Sequence, residues 1–136
     1  MKKDAKLLIG GQALRRLGHD RHTDDTDYLV WDEGGDLFQH QPTGDLINAA
    51  ANPFLRAVWA AATETEGVAD PQTLAELKAW SLIQHCQNMN FRKADQAEYD
   101  LRFLGREYGI TDLPILRQHE LAGPVAECMA CLNHAR

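Results

Sequence analysis

The sequence predicts an α+β fold, in which a small mixed sheet in the N-terminal third of the chain is covered by helices. Short β-favouring runs separated by glycine and proline turns occupy residues 1–50, and apolar residues recur at helical spacing from Pro53 onward. The chain has 136 residues, with no visible internal repeat or linker. We therefore expect a single domain, with the sheet and the candidate site in residues 1–50 and the helical part in residues 53–136.

The predicted strands follow one another closely. Ala5–Ile9 is a short apolar run that ends at Gly10-Gly11, which is typical of a strand entering a tight turn. Gln12–Leu17 then has the spacing of one short helix, with Gly18 as its left-handed cap. The remaining predicted strands are Asp25–Asp32, Asp36–Gln41 as the second arm of a hairpin, and Asp45–Ile47.

The helical part begins at Pro53, which suits the first position of a helix. The polar and acidic run 63–70 predicts a loop, followed by a helix from Pro71. An apolar stripe after Ala94 predicts a helix that ends at Gly109, and the last helix is expected from Val125 to about His134. Helical spacing also predicts core packing, rather than a base-stacking platform, for Trp59, Trp80 and Phe103.

Charge and composition exclude several classes of protein. The net charge of −6 and the pI near 5.4 argue against a surface that holds nucleic acid mainly through phosphate neutralisation. No apolar run approaches the roughly 20 residues that cross a bilayer, and the start of the chain lacks the apolar core of a signal peptide. We expect a soluble, cytoplasmic protein without membrane contact, whose three cysteines are reduced.

The strongest candidate site lies between the glycine turn and the second strand. Asp25 and Asp27 are two residues apart, so on a strand their side chains would lie on one face. Neighbouring carboxylates repel each other, and a divalent cation would offset this repulsion better than the nearby Arg21. An isolated Asp-x-Asp pair is more typical of a solvated strand edge. In the company of the glycine turn, Arg21 and Thr23, the pair instead favours a phosphate and metal site.

The order Gly10-Gly11, a short helix, Arg21-x-Thr23-x-Asp25-x-Asp27 and an apolar strand resembles the nucleotidyltransferase superfamily, whose fold is polymerase-beta-like. The resemblance extends from Leu8 to Val30. Further along the chain, Leu74–Ala79 and Lys93–Leu101 are similar to the helical part of the small prokaryotic, abortive-infection-type members.

This resemblance implies a metal-dependent enzyme that moves a nucleotidyl group from a nucleoside triphosphate to an acceptor hydroxyl. Asp25 and Asp27 correspond to two carboxylates that hold Mg²⁺ or Mn²⁺, and Asp45 is the candidate for the third, which in the family activates the acceptor. Gly10 and Gly11 would seat the phosphates, helped by the N-terminus of the short helix. Arg21, Thr23, Lys78 and Lys93 are further candidates for the nucleotide site.

The acceptor stays open: the resemblance allows an RNA such as a tRNA end, a protein, or a small molecule such as an aminoglycoside. It also implies a toxin–antitoxin or phage-defence setting, in which a partner protein is a candidate. The alternative is a nucleotidyltransferase-like domain without catalysis that serves as a binding or regulatory module.

A second candidate site is Cys128-x-x-Cys131-x-x-His134, which Cys86 or His85 could complete as a zinc site. Cysteines at this spacing on a helix more often face the core. Metal binding by the loop residues His19, His22 and His40 is a weaker expectation than solvation.

Overall fold

The computed structural model describes residues 6–134, apart from the side chain of His134. The structure is mixed α and β, and its chain divides into two compact units, the first ending at Leu74 and the second starting at Ala75. The predicted strand start at Ala5 lies outside the described residues.

The first unit contains a six-stranded mixed sheet in the order β3-β4-β2-β1-β6-β5. Its strands are β1 (Leu7–Ile9), β2 (Asp27–Val30), β3 (Phe38–Gln39), β4 (Asp45–Asn48), β5 (Glu64–Thr65) and β6 (Val68–Ala69). The central strand β2 pairs antiparallel with β1 and parallel with β4. A short parallel pairing of Leu8 with Val68 joins β1 to β6.

The sheet differs from the sequence prediction at both of its edges. Residues 63–70 are not a loop: they form the β5–β6 hairpin, so the sheet extends beyond the N-terminal third to Ala69. Glu66 and Gly67 both have positive φ angles, 53° and 80°, as a tight two-residue hairpin turn requires. The strand β3 is also shorter than predicted and pairs with β4 rather than β2.

Helices α1 (Gly10–Arg16) and α2 (Pro53–Ala61) belong to the same unit. The helix at Pro53 is confirmed, and the Asn52 side chain caps it by accepting a hydrogen bond from the Leu55 N–H at 3.1 Å. A short 3-10 helix (Ala49–Ala51) precedes it. The core of this unit includes Leu7, Leu14, Leu29, Leu55 and Trp59.

The second unit is helical. Beyond Ala75 it comprises the rest of α3 (Pro71–Gln87), together with α4 (Phe91–Tyr108), α5 (Pro114–His119) and α6 (Ala122–His134). Gly109 ends α4 in the left-handed conformation, with φ at 66°, as predicted. Pro114 begins α5, because proline fits the first turn of a helix.

Two buried carboxylates connect the helices of the second unit. Glu76 is fully buried and accepts hydrogen bonds from the backbone N–H groups of Ile115 and Leu116 at 2.9 and 2.8 Å. It therefore caps the first turn of α5 from about forty residues away. Asp100 is also fully buried, and its Oδ2 lies 3.1 Å from Lys78 Nζ. Of the helices within residues 6–134, none has the length and apolar character needed to cross a bilayer.

Candidate functional site

The glycine turn between β1 and α1 lies directly against the carboxylate of Asp27. Gly10 has a φ of +69°, and a Cβ atom at this position would lie only 2.8 Å from Asp27 Oδ2. Residues other than glycine rarely adopt this φ, and their Cβ atom would displace the carboxylate. The sequence has glycine here because the backbone must both turn and approach Asp27 closely.

The second glycine makes room for the two other residues of the motif. A Cβ atom on Gly11 would lie 2.7 Å from Thr23 Cγ2 and 2.8 Å from Arg21 Nη2. The Gln12 amide donates a hydrogen bond to the Thr23 carbonyl at 3.1 Å, which holds this loop against α1. The structure thus brings Gly10, Gly11, Arg21, Thr23 and Asp27 together.

Asp25 lies in the loop that precedes β2, and its side chain is exposed. The expectation that Asp25 and Asp27 share a strand face therefore does not hold, because β2 begins only at Asp27. The ladder stops there because Asp27 pairs with Ile9, after which Gly10 turns the partner strand into α1. The Asp25 N–H donates instead to Thr23 Oγ1 at 3.3 Å, in a local turn.

Asp45 lies beside Asp27 in the sheet. The two residues are directly paired in the parallel register of β2 and β4. Paired residues on adjacent strands project from the same face, with their Cβ atoms about 5 Å apart. Asp27 and Asp45 are therefore neighbours in the sheet at the end of β1 from which the glycine turn departs, whereas Asp25 lies two residues before Asp27.

His40 is a residue of this site that the sequence interpretation left among the solvated loop histidines. Its Nδ1 lies 2.5 Å from Asp45 Oδ1. The antiparallel register pairs Phe38 with Ile47 and Gln39 with Leu46, and its next step would place His40 opposite Asp45. A β3–β4 hairpin around Pro42-Thr43-Gly44 is the signal that would have identified this contact from the sequence.

The two candidate lysines belong to the second unit. Lys78 forms the ion pair with Asp100, and the exposed Lys93 lies in the first turn of α4. The pKa of His85 is lowered, first by burial and then by the positive charges of Lys93 and Lys78. Lys78 therefore has a structural partner, Asp100, that the sequence did not indicate.

The candidate zinc cysteines face the interior of the second unit, as cysteines on a helix often do. Cys128 and Cys131 are buried, and each thiol lies 3.6 Å from an oxygen acceptor, the Ala79 carbonyl and Glu98 Oε1 respectively. Cys86 is exposed, and the side chain of His134 lies outside the described residues. Within residues 6–134, no group of three or more histidine, cysteine, aspartate or glutamate side chains is placed to hold a metal ion by itself.

The thiols should differ strongly in reactivity. Burial raises the pKa of Cys128 to about 12, and burial, followed by the charge of Glu98, raises the pKa of Cys131 to about 11. Because the thiolate is the reactive form, iodoacetamide near pH 8 should modify Cys86 at least about a hundredfold faster than either buried thiol. Peptide mass spectrometry at successive reaction times measures the rate of modification at each cysteine. In denaturant all three should react alike; equal rates in the folded protein would contradict the prediction.

Comparisons with known proteins leave the site to be interpreted on its own chemistry. No protein-family model matches the chain, and neither a curated protein nor a solved structure matches it.

Proposed function

We propose that the first unit binds a nucleoside triphosphate with Mg²⁺ or Mn²⁺ and transfers a nucleotidyl group to an acceptor hydroxyl. The observation that carries this proposal is the close approach of Gly10 to the Asp27 carboxylate, which leaves no room for a Cβ atom, together with the register pairing of Asp27 and Asp45. A glycine turn gives phosphates access to backbone N–H groups, and adjacent carboxylates attract a cation. The chemistry needs both features in the same place.

The donor set suits a hard divalent cation. Asp25, Asp27 and Asp45 offer only carboxylate oxygens, which Mg²⁺ prefers. Mg²⁺ keeps several waters and is commonly bound by one or two carboxylates together with substrate phosphates, so a cage of three converging side chains is not required. When bound, the ion would neutralise the charge that develops on the transferred phosphoryl group. Arg21, packed against Gly11, would add a positive charge for the phosphates.

Asp45 would have a further role at the acceptor. Its side chain is about one quarter exposed, at 26%, and one of its oxygens is held by His40. That hydrogen bond fixes the carboxylate, so the second oxygen is available to a cation or to the acceptor hydroxyl proton. The acceptor is proposed as an RNA end, a protein or a small molecule. The acidic net charge favours an acceptor other than long nucleic acid.

The contact between His40 and Asp45 also supports a second candidate function, a nucleotide-binding or regulatory module without transfer. Asp45 is engaged by His40 at 2.5 Å, so the carboxylate expected to act on the acceptor already has a partner. Binding and transfer must therefore be measured separately.

Binding is tested by thermal unfolding with ATP and MgCl₂. A ligand at a hundred times its Kd stabilises the folded state by about 2.7 kcal/mol, so Tm should rise by several degrees. Asp27→Asn should remove most of this rise, whereas Asp24→Asn, an exposed neighbour that pairs with His22, should retain it. A Tm that does not respond to MgCl₂ and ATP in the unchanged protein would refute both candidate functions.

His40→Ala should weaken Mg²⁺ binding about tenfold, because a hydrogen-bonding partner of a metal ligand commonly contributes that much. His40→Asn should restore most of the affinity, since its amide N–H can replace the imidazole Nδ1 donor. Calorimetric titration of MgCl₂ in the presence of ATP gives the Kd of each variant. Equal affinities in the unchanged protein and His40→Ala would show that the Asp45 contact is irrelevant to the metal.

A further inference from the structure

The second unit contains a cavity of about 790 Å³ that the proposed function does not use. Helices α3, α4 and α6 contribute all of its walls. This volume lies in the range of small-molecule sites, which are about 300–1,000 Å³. Most of the lining is apolar, and its walls include Leu82, Ile83, Phe91, Ala94, Pro124 and Cys128.

The thiols contribute neutral surface to this cavity. Cys86, Cys128 and Cys131 all line it, and burial raises the pKa of the last two to about 12 and about 11. Both buried thiols are therefore protonated at neutral pH and behave as small apolar groups. The surface that these two thiols contribute can accept an apolar body.

Negative groups outnumber positive groups in the lining of the cavity. Asp95, Glu98 and Glu127 contribute three carboxylates, and Arg102 contributes the one positive charge of the lining. Arg102 Nη2 is already 2.9 Å from Glu98 Oε1. Asp95 and Glu127 are exposed at the surface of the cavity and form no ion pair with residues 6–134. A ligand here meets two carboxylates whose charge is not neutralised by a basic side chain.

We propose that this cavity binds a small organic molecule that combines an apolar body with one positive charge. The apolar body lies against Leu82, Ile83 and the buried thiols, and the positive group lies near Asp95 and Glu127. Phe91 is 61% exposed and also lines the cavity, so its ring offers a further surface for a cation. An anion of the same shape is disfavoured by the same two carboxylates.

The test uses three probes with one apolar body: phenylbutylammonium, phenylbutanol and phenylbutanoate. Each is titrated into the full chain and followed by two-dimensional amide NMR. The ammonium probe should produce saturable shifts confined to α3, α4 and α6, with a Kd about fivefold lower than that of the alcohol, the combined effect of two exposed charge interactions. The carboxylate probe should bind more weakly than the alcohol.

Two kinds of variant separate charge from shape. Asp95→Asn with Glu127→Gln should remove the preference for ammonium while leaving alcohol binding within about twofold. Asp36→Asn with Glu64→Gln makes the same change in net charge at exposed positions of the first unit and should keep the preference. Cys86→Trp adds bulk at an exposed position of the lining, so it should weaken both probes without disturbing a buried residue.

Several results would overturn the proposal. These are the absence of saturable shifts up to millimolar probe, equal Kd values for the three probes, or shifts that lie outside these helices. Broadening of the same helix resonances with protein concentration alone, accompanied by a dimer in light scattering, would show instead that a second copy of the chain occupies the cavity.

Discussion

Replacing Asp25 and Asp27 together with asparagine should reduce nucleotide transfer by about a thousandfold or more, the scale on which essential electrostatic groups contribute to catalysis. Asparagine keeps the shape of both side chains and removes the two negative charges that would bind the cation. The measurement supplies nucleoside triphosphates labelled at the α-phosphorus, together with total tRNA or a soluble protein fraction as acceptor. Transfer at the original rate by the double variant would refute the proposed enzyme.

The control for this experiment lies in the same loop. Asp20 and Asp24 are 82% and 90% exposed, and each lies within 4 Å of a ring nitrogen of a neighbouring histidine, His19 and His22 respectively. Asp20→Asn with Asp24→Asn therefore makes the same change in net charge and should transfer normally. If the unchanged protein gains stability from MgCl₂ and ATP but labels no acceptor, the binding or regulatory function takes precedence over the enzyme.

The parts of the fold that could be predicted were those that depend on local sequence patterns. The apolar stripe of α4, the proline at the start of α2 and the glycine cap at Gly109 each depend on residues within a few positions of one another. The β5–β6 hairpin was missed because its strands have two residues each and carry Glu64 and Thr65, which signal a loop by composition. Its turn also uses Glu66-Gly67 rather than the usual asparagine or aspartate before glycine.

The candidate site shows the same division between local and distant information. The spacing from Gly10 to Asp27 indicated a contact that the structure contains, because the motif lies within one strand, one helix and one loop. The His40–Asp45 contact depends on which strand β3 pairs with, and the turn at Pro42-Thr43-Gly44 is the local signal for its pairing with β4. The capping role of Glu76 could not be predicted from local sequence, since its hydrogen-bond donors lie about forty residues away. Distant caps are properties of tertiary structure.

Gly105→Ala should destabilise the second unit by about 3 kcal/mol, at the upper end of what overpacking costs. A Cβ atom on Gly105 would lie 2.0 Å from the Leu132 carbonyl oxygen, which is backbone and cannot rotate away. The helices α4 and α6 would therefore have to separate around the fully buried Leu132. Helix propensity alone predicts the opposite sign, because alanine in a helix is favoured over glycine by about 1 kcal/mol.

Gly123→Ala is the matched control, because this glycine is also in a helix of the second unit but has nothing within 4 Å of an added Cβ atom. It should leave stability unchanged or increase it by up to about 1 kcal/mol. Circular dichroism melts of the two variants compare the effects directly, with a fall in Tm of roughly 10 °C expected for Gly105→Ala. Equal melting of both variants would mean that α4 and α6 do not approach each other closely at Gly105. Stability changes of opposite sign in the two variants would show that position 105 requires glycine because α4 and α6 are in contact there. Helix propensity alone would change the stability of both variants in the same direction.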